Sequence, residues 1–529
     1  MLFGSAPSKS KKRIAVVGGG AAGMACAWSL SLSDKFESVT VFEALESTGG
    51  VASTNTTADG RDRINDQVQG GAPSYRNNLL FFKQAAGAEP TDVKFKIAFG
   101  RGDTAWFVST PSSLHRSIAP SLHRSIAPSL HRSIAPSLHR SIAHPLPVHV
   151  PARSNHGEPS PLVARCADDI ERFGRLLERV SRFEPIYIFV PIHKLLESNN
   201  FSDEFQNAMV FPLVALFFGT GNQTPYVSSA VIARVFLDPE LRLFEYDRKR
   251  LLATVPTMFA FPPLGDVFEK ITQTIKSNGS KNRVLTTSPV TKVVRHRKGV
   301  TVHSPGLENG VEEFDEIVFA CGAETALKIL GDDASWRERT FLPNVSYYND
   351  LIVTHDDAAY MDREYEFDRR DDGDMYMIRT DPSNPKLIEM SFNLSMYQPH
   401  LRGGSGKKRD IFQSIFLDDS DTSGWSVGDI DEGKVLYKRM TRQFAHKWQH
   451  FAYWVPFLRF LQGHRRTFYA GSYCLFNTHE IAVMTGLAAA DRLGAPYPFG
   501  DDEFAARQYR TTFKIVHGLF ARMTKSNHS

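Results

Sequence analysis

The chain has 529 residues, room for roughly two to four domain-sized units and a sizeable core. Its 42% hydrophobic and 23% charged content is that of a soluble globular protein, and a net charge of +4 is too small to argue for a nucleic-acid partner. The cysteines (Cys26, Cys166, Cys321, Cys474) are widely spaced, without a CxxC pair, so a reduced, cytoplasmic setting is expected. The histidines form no HExxH-like set, so no metal is expected.

Lys9, Lys11, Lys12 and Arg13 read as a solvated basic leader before the first strand. Ile14–Leu30 then reads IAVVGGGAAGMACAWSL: a short apolar strand, a glycine-rich turn and a small-residue helix. A second apolar run, Val39–Phe42, ends on Glu43. This is the strand–turn–helix–strand context of a dinucleotide fingerprint. Gly18 allows the tight turn, Gly20 lets the backbone approach a pyrophosphate, Ala22 lies in the first helical turn, and Gly23 lets helix pack on strand. The helix N-terminus offers free N–H groups and a positive dipole end to phosphates. Glu43 is placed to accept hydrogen bonds from an adenosine ribose.

Val93–Phe99 alternates like a strand, with Thr104–Ser109 as its partner. Residues 113–144 are four near-identical copies of SLHRSIAP, the last ending in His144. Their prolines interrupt any long helix, and the period is far below that of a stacking solenoid. A disordered surface insertion is the preferred reading, over a basic arm for acidic lipids or partners. Helices are expected at Asp168–Phe183, Ser202–Phe218, Ser228–Leu237 and Gly265–Lys276. Strands are expected at Val284–Leu285, Val290–His296, Gly299–His303 and Phe314–Ala320, and several more within 345–400. The Gly/Ser/Asp-rich stretch 403–434 reads as a mobile loop. Trp448–Leu461 is strongly apolar; buried core is preferred over a substrate tunnel wall or a membrane-facing surface. Arg466–Ala470 reads as a strand and Glu480–Leu493 as a small-residue helix. Phe513–Lys525 is basic and amphipathic, which leaves open a peripheral membrane contact beside the plainer reading of a docked helix. Strand–helix units at both ends and in the middle imply an α/β fold, with one dinucleotide domain assembled from three separated segments.

The motifs resemble those of the flavin-dependent amine oxidase superfamily, which includes phytoene desaturases and protoporphyrinogen oxidases. Within it, the chain is similar to a branch of NAD/FAD-binding proteins that is itself similar to a polyunsaturated fatty-acid isomerase. The first matching block is Gly18–Gly23 with Glu43 and Gly49-Gly50, followed by Val51 where the family often has a basic residue. Asn65-Asp66 with Val68-Gln69-Gly70 resembles the segment that passes near the flavin. The second block is Val290–Val294 with FDEIVFACGAETALKIL, Phe314–Leu330; the resemblance assigns an adenine contact to the Val293 backbone and a cofactor contact to Ala320. Phe261–Gly265 departs from the family's Gly-Gly helix start. The third block is Tyr469–Cys474 with Gly471-Ser472, then Thr478-His479-Glu480 and Gly486. The resemblance implies that the helix after Thr478 points its N-terminus at the flavin, where reduction builds negative charge. His479 and Glu480 then serve through their backbone N–H groups; direct proton transfer by their side chains is the weaker alternative, and no other catalytic residue is assigned.

The expected architecture is a Rossmann-like FAD-binding domain in three segments (12–92, 263–332, 463–498). A mixed α+β substrate domain (93–112, 162–262, 333–462), a repeat insertion (113–161) and a C-terminal helix and tail (499–529) complete it. The expected cofactor is non-covalent FAD, since the surroundings of Cys474 do not match an attachment motif. The expected activity is hydride transfer from a C–N or C–C bond of a hydrophobic small molecule to flavin N5, with Asn393 and Gln398 lining the substrate cavity. A lipid double-bond isomerase or desaturase and a non-catalytic flavin scaffold are the alternatives. Tyr347-Tyr348, Tyr376 and Trp454 suggest an aromatic cage for an amine, with ordinary core packing preferred. Oligomeric state is not legible.

Overall fold

The computed structural model describes residues 11–100, 105–108, 160–238, 245–254, 257–366, 375–381, 384, 387–402 and 409–519. The repeats at 113–144 and the end of the amphipathic C-terminal stretch lie outside the described residues.

The first body is a five-stranded parallel sheet. Its strands, in spatial order, are Arg283–Leu285, β2 (Phe36–Phe42), β1 (Lys12–Val17), Glu316–Phe319 and Thr467–Tyr469. Chain segments far apart in sequence thus complete one sheet, as expected for a Rossmann-like domain in three pieces. Ile14, Ala15 and Val16 are fully buried because helices cover one face, while a small antiparallel sheet and the helix Ala323–Leu330 cover the other, which is why the strand reads as a continuous apolar run. Helix α1 (Ala21–Ser31) is buried all round. Its small residues allow close approach to the helix His479–Leu493: a Cβ on Gly486 would lie 2.1 Å from the Ala22 carbonyl oxygen. The antiparallel strands Lys292–Arg295, Val300–His303 and Val311–Phe314 form a small separate sheet.

The second body is a seven-stranded mixed sheet. Its order is Val435–Phe444, Tyr347–His355, Phe412–Leu417, Ile388–Asn393, Tyr376–Thr380, Ile97–Phe99 and Phe107–Val108. Helices pack with it, among them Ala167–Arg182, Phe211–Phe218 and Ser229–Leu237. Ala167–Arg182 buries Ile170, Phe173, Leu176, Leu177 and Val180, the stripe of an amphipathic helix.

Two expectations fail here. Residues 403–434 were expected to be a mobile loop, yet Phe412–Leu417 is an interior strand of the large sheet. Five of its six residues are buried, so the alternation that marks a strand is absent. Val93–Phe99 is also not one strand. Thr91–Val93 pairs with Met258–Ala260, whereas Ile97–Phe99 pairs with Tyr376–Ile378 and with Phe107–Val108. Within Trp448–Leu461, Phe451, Trp454, Leu458 and Leu461 are core, while Tyr453 and Phe460 remain exposed. The helix Glu503–His517 docks through Tyr509, Phe513 and Val516, all buried. Among the described residues, no helix is long and apolar enough to cross a membrane.

Candidate functional site

The sequence-predicted site residues fall in three groups. The first is the turn between β1 and α1. Gly18 has φ +108°, and a Cβ there would lie 2.8 Å from the Ala320 carbonyl oxygen. Ala320 in turn donates its N–H to Val17 at 2.8 Å. Gly23 is packed harder still, its Cβ position 1.9 Å from the Gly18 carbonyl oxygen. Gly20 differs: among the described residues, its chain neighbours aside, nothing lies nearer its Cβ position than the Gly49 oxygen at 3.9 Å. Packing therefore explains Gly18 and Gly23 but leaves Gly20 unexplained.

Around this opening, Gly49 donates its N–H to the Gly19 carbonyl at 2.8 Å and forms a parallel bridge with Gly20. Both Gly49 and Gly50 have positive φ. Buried Glu43 accepts the Gly19 N–H at 2.6 Å and the Leu45 N–H at 2.9 Å, which holds its carboxylate at the mouth of the turn. Helix α1 has no side-chain cap and no acidic residue in its first turn, so its leading N–H groups face the opening with the dipole behind them. Val51 is half exposed beside the paired glycines. The segment that runs along Glu43 is Leu285–Ser288, with Ser288 donating to the Glu43 carbonyl at 2.7 Å. Val293 lies further along the chain, its side chain in the core.

The second group is the start of His479–Leu493. Gly471 has φ +147° and donates its N–H to Thr485 Oγ1 at 3.0 Å. The Ser472 hydroxyl lies 3.5 Å from Asn477 Oδ1. Thr478 caps the helix, accepting the Ile481 N–H at 3.2 Å, as its sequence position suggests. The side chains of His479 and Glu480 are otherwise engaged. Glu480 accepts the N–H groups of Asn77 at 2.9 Å and Asn78 at 2.7 Å, and the Asn77 amide at 2.9 Å. It thereby caps α2 (Arg76–Ala86) from another part of the chain. Burial pushes its carboxyl up to about 7, against those donors. His479 holds Asn78 Oδ1 at 2.8 Å through Nδ1, and its ring sits among Phe82, Phe261 and Phe268. That apolar box lowers its pKa to about 4, so the ring is neutral. The geometry of both side chains is that of helix and core anchoring.

The third group is the segment Asn65–Gly70 beneath the large sheet. Asn65 caps the helix Leu264–Ser277 by accepting the Leu264 N–H at 2.9 Å. Asp66 is fully buried and pairs with Arg439 at 3.0 Å and Gln413 at 2.7 Å. Gln69 donates to Gln413 Oε1 at 3.2 Å, while its own Oε1 is buried without a protein partner. A Cβ on Gly70 would lie 1.9 Å from the Phe259 oxygen, so tight packing accounts for that glycine.

Asn393 and Gln398, expected to line a cavity, are fixed elsewhere. Gln398 holds both the N–H and the carbonyl of Asn65, at 2.9 and 2.8 Å, and Asn393 caps the short helix Leu394–Tyr397. The aromatic residues form no common cage. Tyr347 accepts the Ala323 N–H, Tyr348 donates to the Gly219 carbonyl, Tyr376 packs on Phe392, and Trp454 donates to the Tyr473 carbonyl. Cys474 is buried, and burial pushes its thiol up, away from a reactive thiolate.

A cavity that the sequence did not reveal opens beside the first turn of His479–Leu493. Its volume is about 170 Å³, and Phe217, Phe218, Val235, Phe476, His446 and Met484 are among the residues lining it.

The profile of the NAD(P)-binding Rossmann-like domain family matches residues 16–79. Among solved structures, a conjugated-linoleic-acid-producing fatty acid isomerase from P. acnes superposes with TM-score 0.55 at 14% identity, over 92% of this chain and 99% of that one. Cyclohexylamine oxidase from Brevibacterium oxydans gives 0.57 at 13% identity, over 92% and 100%. Putrescine oxidase bound to putrescine gives 0.56 at 11%, over 92% and 99%. The chain shares the fold of these three solved structures. Comparison with curated protein sequences returns no match. Gly20, Glu43, Gly49 and Gly50 lie within the residues that the Rossmann-like profile matches.

Proposed function

We propose that this chain is an FAD-dependent oxidoreductase that removes hydride from a C–N or C–C bond of a hydrophobic small molecule. The reading rests on Gly20: a glycine that packing does not require stands at an uncapped helix N-terminus, next to the Gly19 N–H that a pinned, buried carboxylate accepts. These residues suit the phosphates and ribose of a dinucleotide. Orphaned Gln69 Oε1 and the N-terminal turn at Thr478 suit a flavin ring. FAD, when bound, supplies the hydride acceptor. The α1 N-terminus holds the phosphates, and Glu43 fixes the nucleoside through its carboxylate. The N–H groups after Thr478 stabilise negative charge on the ring. His479 and Glu480 hold that turn in place. Lacking a reactive Cys474, the chain would bind its cofactor non-covalently.

The test is to purify the protein, precipitate it with acid and read flavin in each fraction. Anaerobic addition of amines and unsaturated fatty acids follows. Yellow supernatant and substrate-driven bleaching support the proposal. Colourless protein that cannot be reconstituted overturns it. Bleaching without net product oxidation would assign the isomerase alternative, and flavin that no compound bleaches would assign the scaffold.

A further inference from the structure

Tyr226 apart, the large aromatic side chains that stand exposed among the described residues are Phe183, Phe189, Trp336, Tyr453 and Phe460, between 43% and 68% exposed. They follow one another along the surface. Phe183, Ile186 and Phe189 recur every third position through a run of helical turns, and Ile186 is exposed as well. The Phe189 ring meets half-buried Trp448 and exposed Tyr453 edge-on, at centroid distances of 6.3 and 6.4 Å. Tyr453, Phe457 and Phe460 come next, spaced by four and three along the helical turns that begin at His450, which keeps them neighbours. Phe457 stacks on Phe341 at 4.6 Å, and Trp336 lies 6.4 Å from Phe341. Arg337 ties this end to the rest by donating to the Phe460 carbonyl at 3.2 Å.

The charge on this strip has one sign. Its three segments, 183–190, 336–341 and 447–460, carry Arg337, Arg339, Lys447 and Arg459, and none of these forms an ion pair with a described residue. Their acids are Glu184 and Glu338, and both are taken, by Arg234 at 2.6 Å and by Arg295 at 2.5 Å. The Arg459 guanidinium lies over the Phe460 ring and that of Arg337 over Trp336, so charge and aromatic surface are interleaved. Contiguous exposed apolar surface marks a contact site, and Trp, Tyr and Phe beside unpaired cations suit the headgroup layer of an acidic membrane. A second copy of the chain, docked about a two-fold axis, would set these cations against one another.

We propose that this strip docks the protein on an anionic bilayer, its aromatic side chains entering the headgroup layer and Lys447 and Arg459 meeting acidic headgroups. The contact is peripheral, and it does not depend on the cofactor.

The test is flotation of the full-length protein as purified with vesicles of phosphatidylcholine alone, or of equimolar phosphatidylcholine and phosphatidylserine. The acidic vesicles should carry the protein, and added salt should release it, because screening weakens the attraction to headgroups. Each cation near an acidic surface contributes about fivefold in binding, so Lys447→Gln with Arg459→Gln should weaken it roughly 25-fold. Phe189→Ser with Phe460→Ser should abolish flotation. Val311→Ser, at an exposed apolar residue of the small antiparallel sheet, should leave it unchanged. Should a variant not fold, the wild-type chain decides: brominated acyl chains should quench Trp336, read as the fluorescence that Trp336→Phe loses. Flotation that survives either double substitution, equal binding to neutral and acidic vesicles, or an unquenched Trp336 would overturn the proposal. So would a dimer that Phe189→Ser with Phe460→Ser dissociates, since the strip would then join two copies. Flavin content on the same sample keeps the two readings apart. Colourless protein that floats refutes only the cofactor reading, and flavin-loaded protein that floats with neither vesicle refutes only the membrane contact.

Discussion

Glu43→Gln isolates the carboxylate at the nucleotide turn. The wild-type carboxylate is 7% exposed and accepts Gly19 N–H at 2.6 Å and Leu45 N–H at 2.9 Å. Gln keeps the length and one acceptor oxygen but loses the charge and brings an NH2 group against a backbone donor. A hydrogen bond to a charged group contributes about 1.5–3 kcal/mol, so loss of the ribose contact should weaken FAD roughly 10- to 150-fold. The same substitution should also lower stability by about 1 kcal/mol, because one of the two backbone donors loses its charged partner. Flavin fluorescence quenching on apoprotein gives the first quantity, and a denaturant midpoint on apoprotein gives the second. Glu43→Ala should lose more in both. Wild-type FAD affinity in Glu43→Gln would refute the assignment, and a large stability loss alone would reduce Glu43 to a brace for the turn.

Three further outcomes follow from the geometry. Gly20→Ala meets no described atom closer than 3.9 Å, its chain neighbours aside, and should fold normally yet bind flavin poorly, whereas Gly23→Ala collides with the Gly18 oxygen and should destabilise the apoprotein by about 2 kcal/mol or more; paired melting and flavin-content measurements separate the two. Burial raises Glu480 from an ordinary 4.5 to about 7, so the proton is bound more tightly in the folded state. Stability from this group is full below about 4.5 and declines as pH rises to about 7, by at most about 3 kcal/mol. Glu480→Gln should remove that slope, and an unchanged profile of stability against pH would show that the capping donors, not burial, set its titration. Cys474→Ala should retain its full flavin content, since the thiol is core; loss of flavin from the folded variant would contradict a non-covalent site.

The parts of the fold legible in the sequence are those encoded locally. The strand, turn and small-residue helix from Ile14 to Leu30, and the Thr478 cap, follow from residue chemistry over a few positions. What failed depends on long-range pairing. Phe412–Leu417 hides in a polar stretch because both of its faces are covered, and the break inside Val93–Phe99 is set by two different partners. At the site, Gln398 and Asn393 look like cavity residues until Asn65 and the Leu394–Tyr397 helix turn out to engage them.

The most direct test of the central claim is the visible spectrum of the purified chain before and after acid precipitation, with the released compound identified by mass. A flavin band that moves entirely to the supernatant as FAD is the predicted result. Protein that is colourless and stays so after incubation with FAD, or flavin that remains in the pellet, would contradict it.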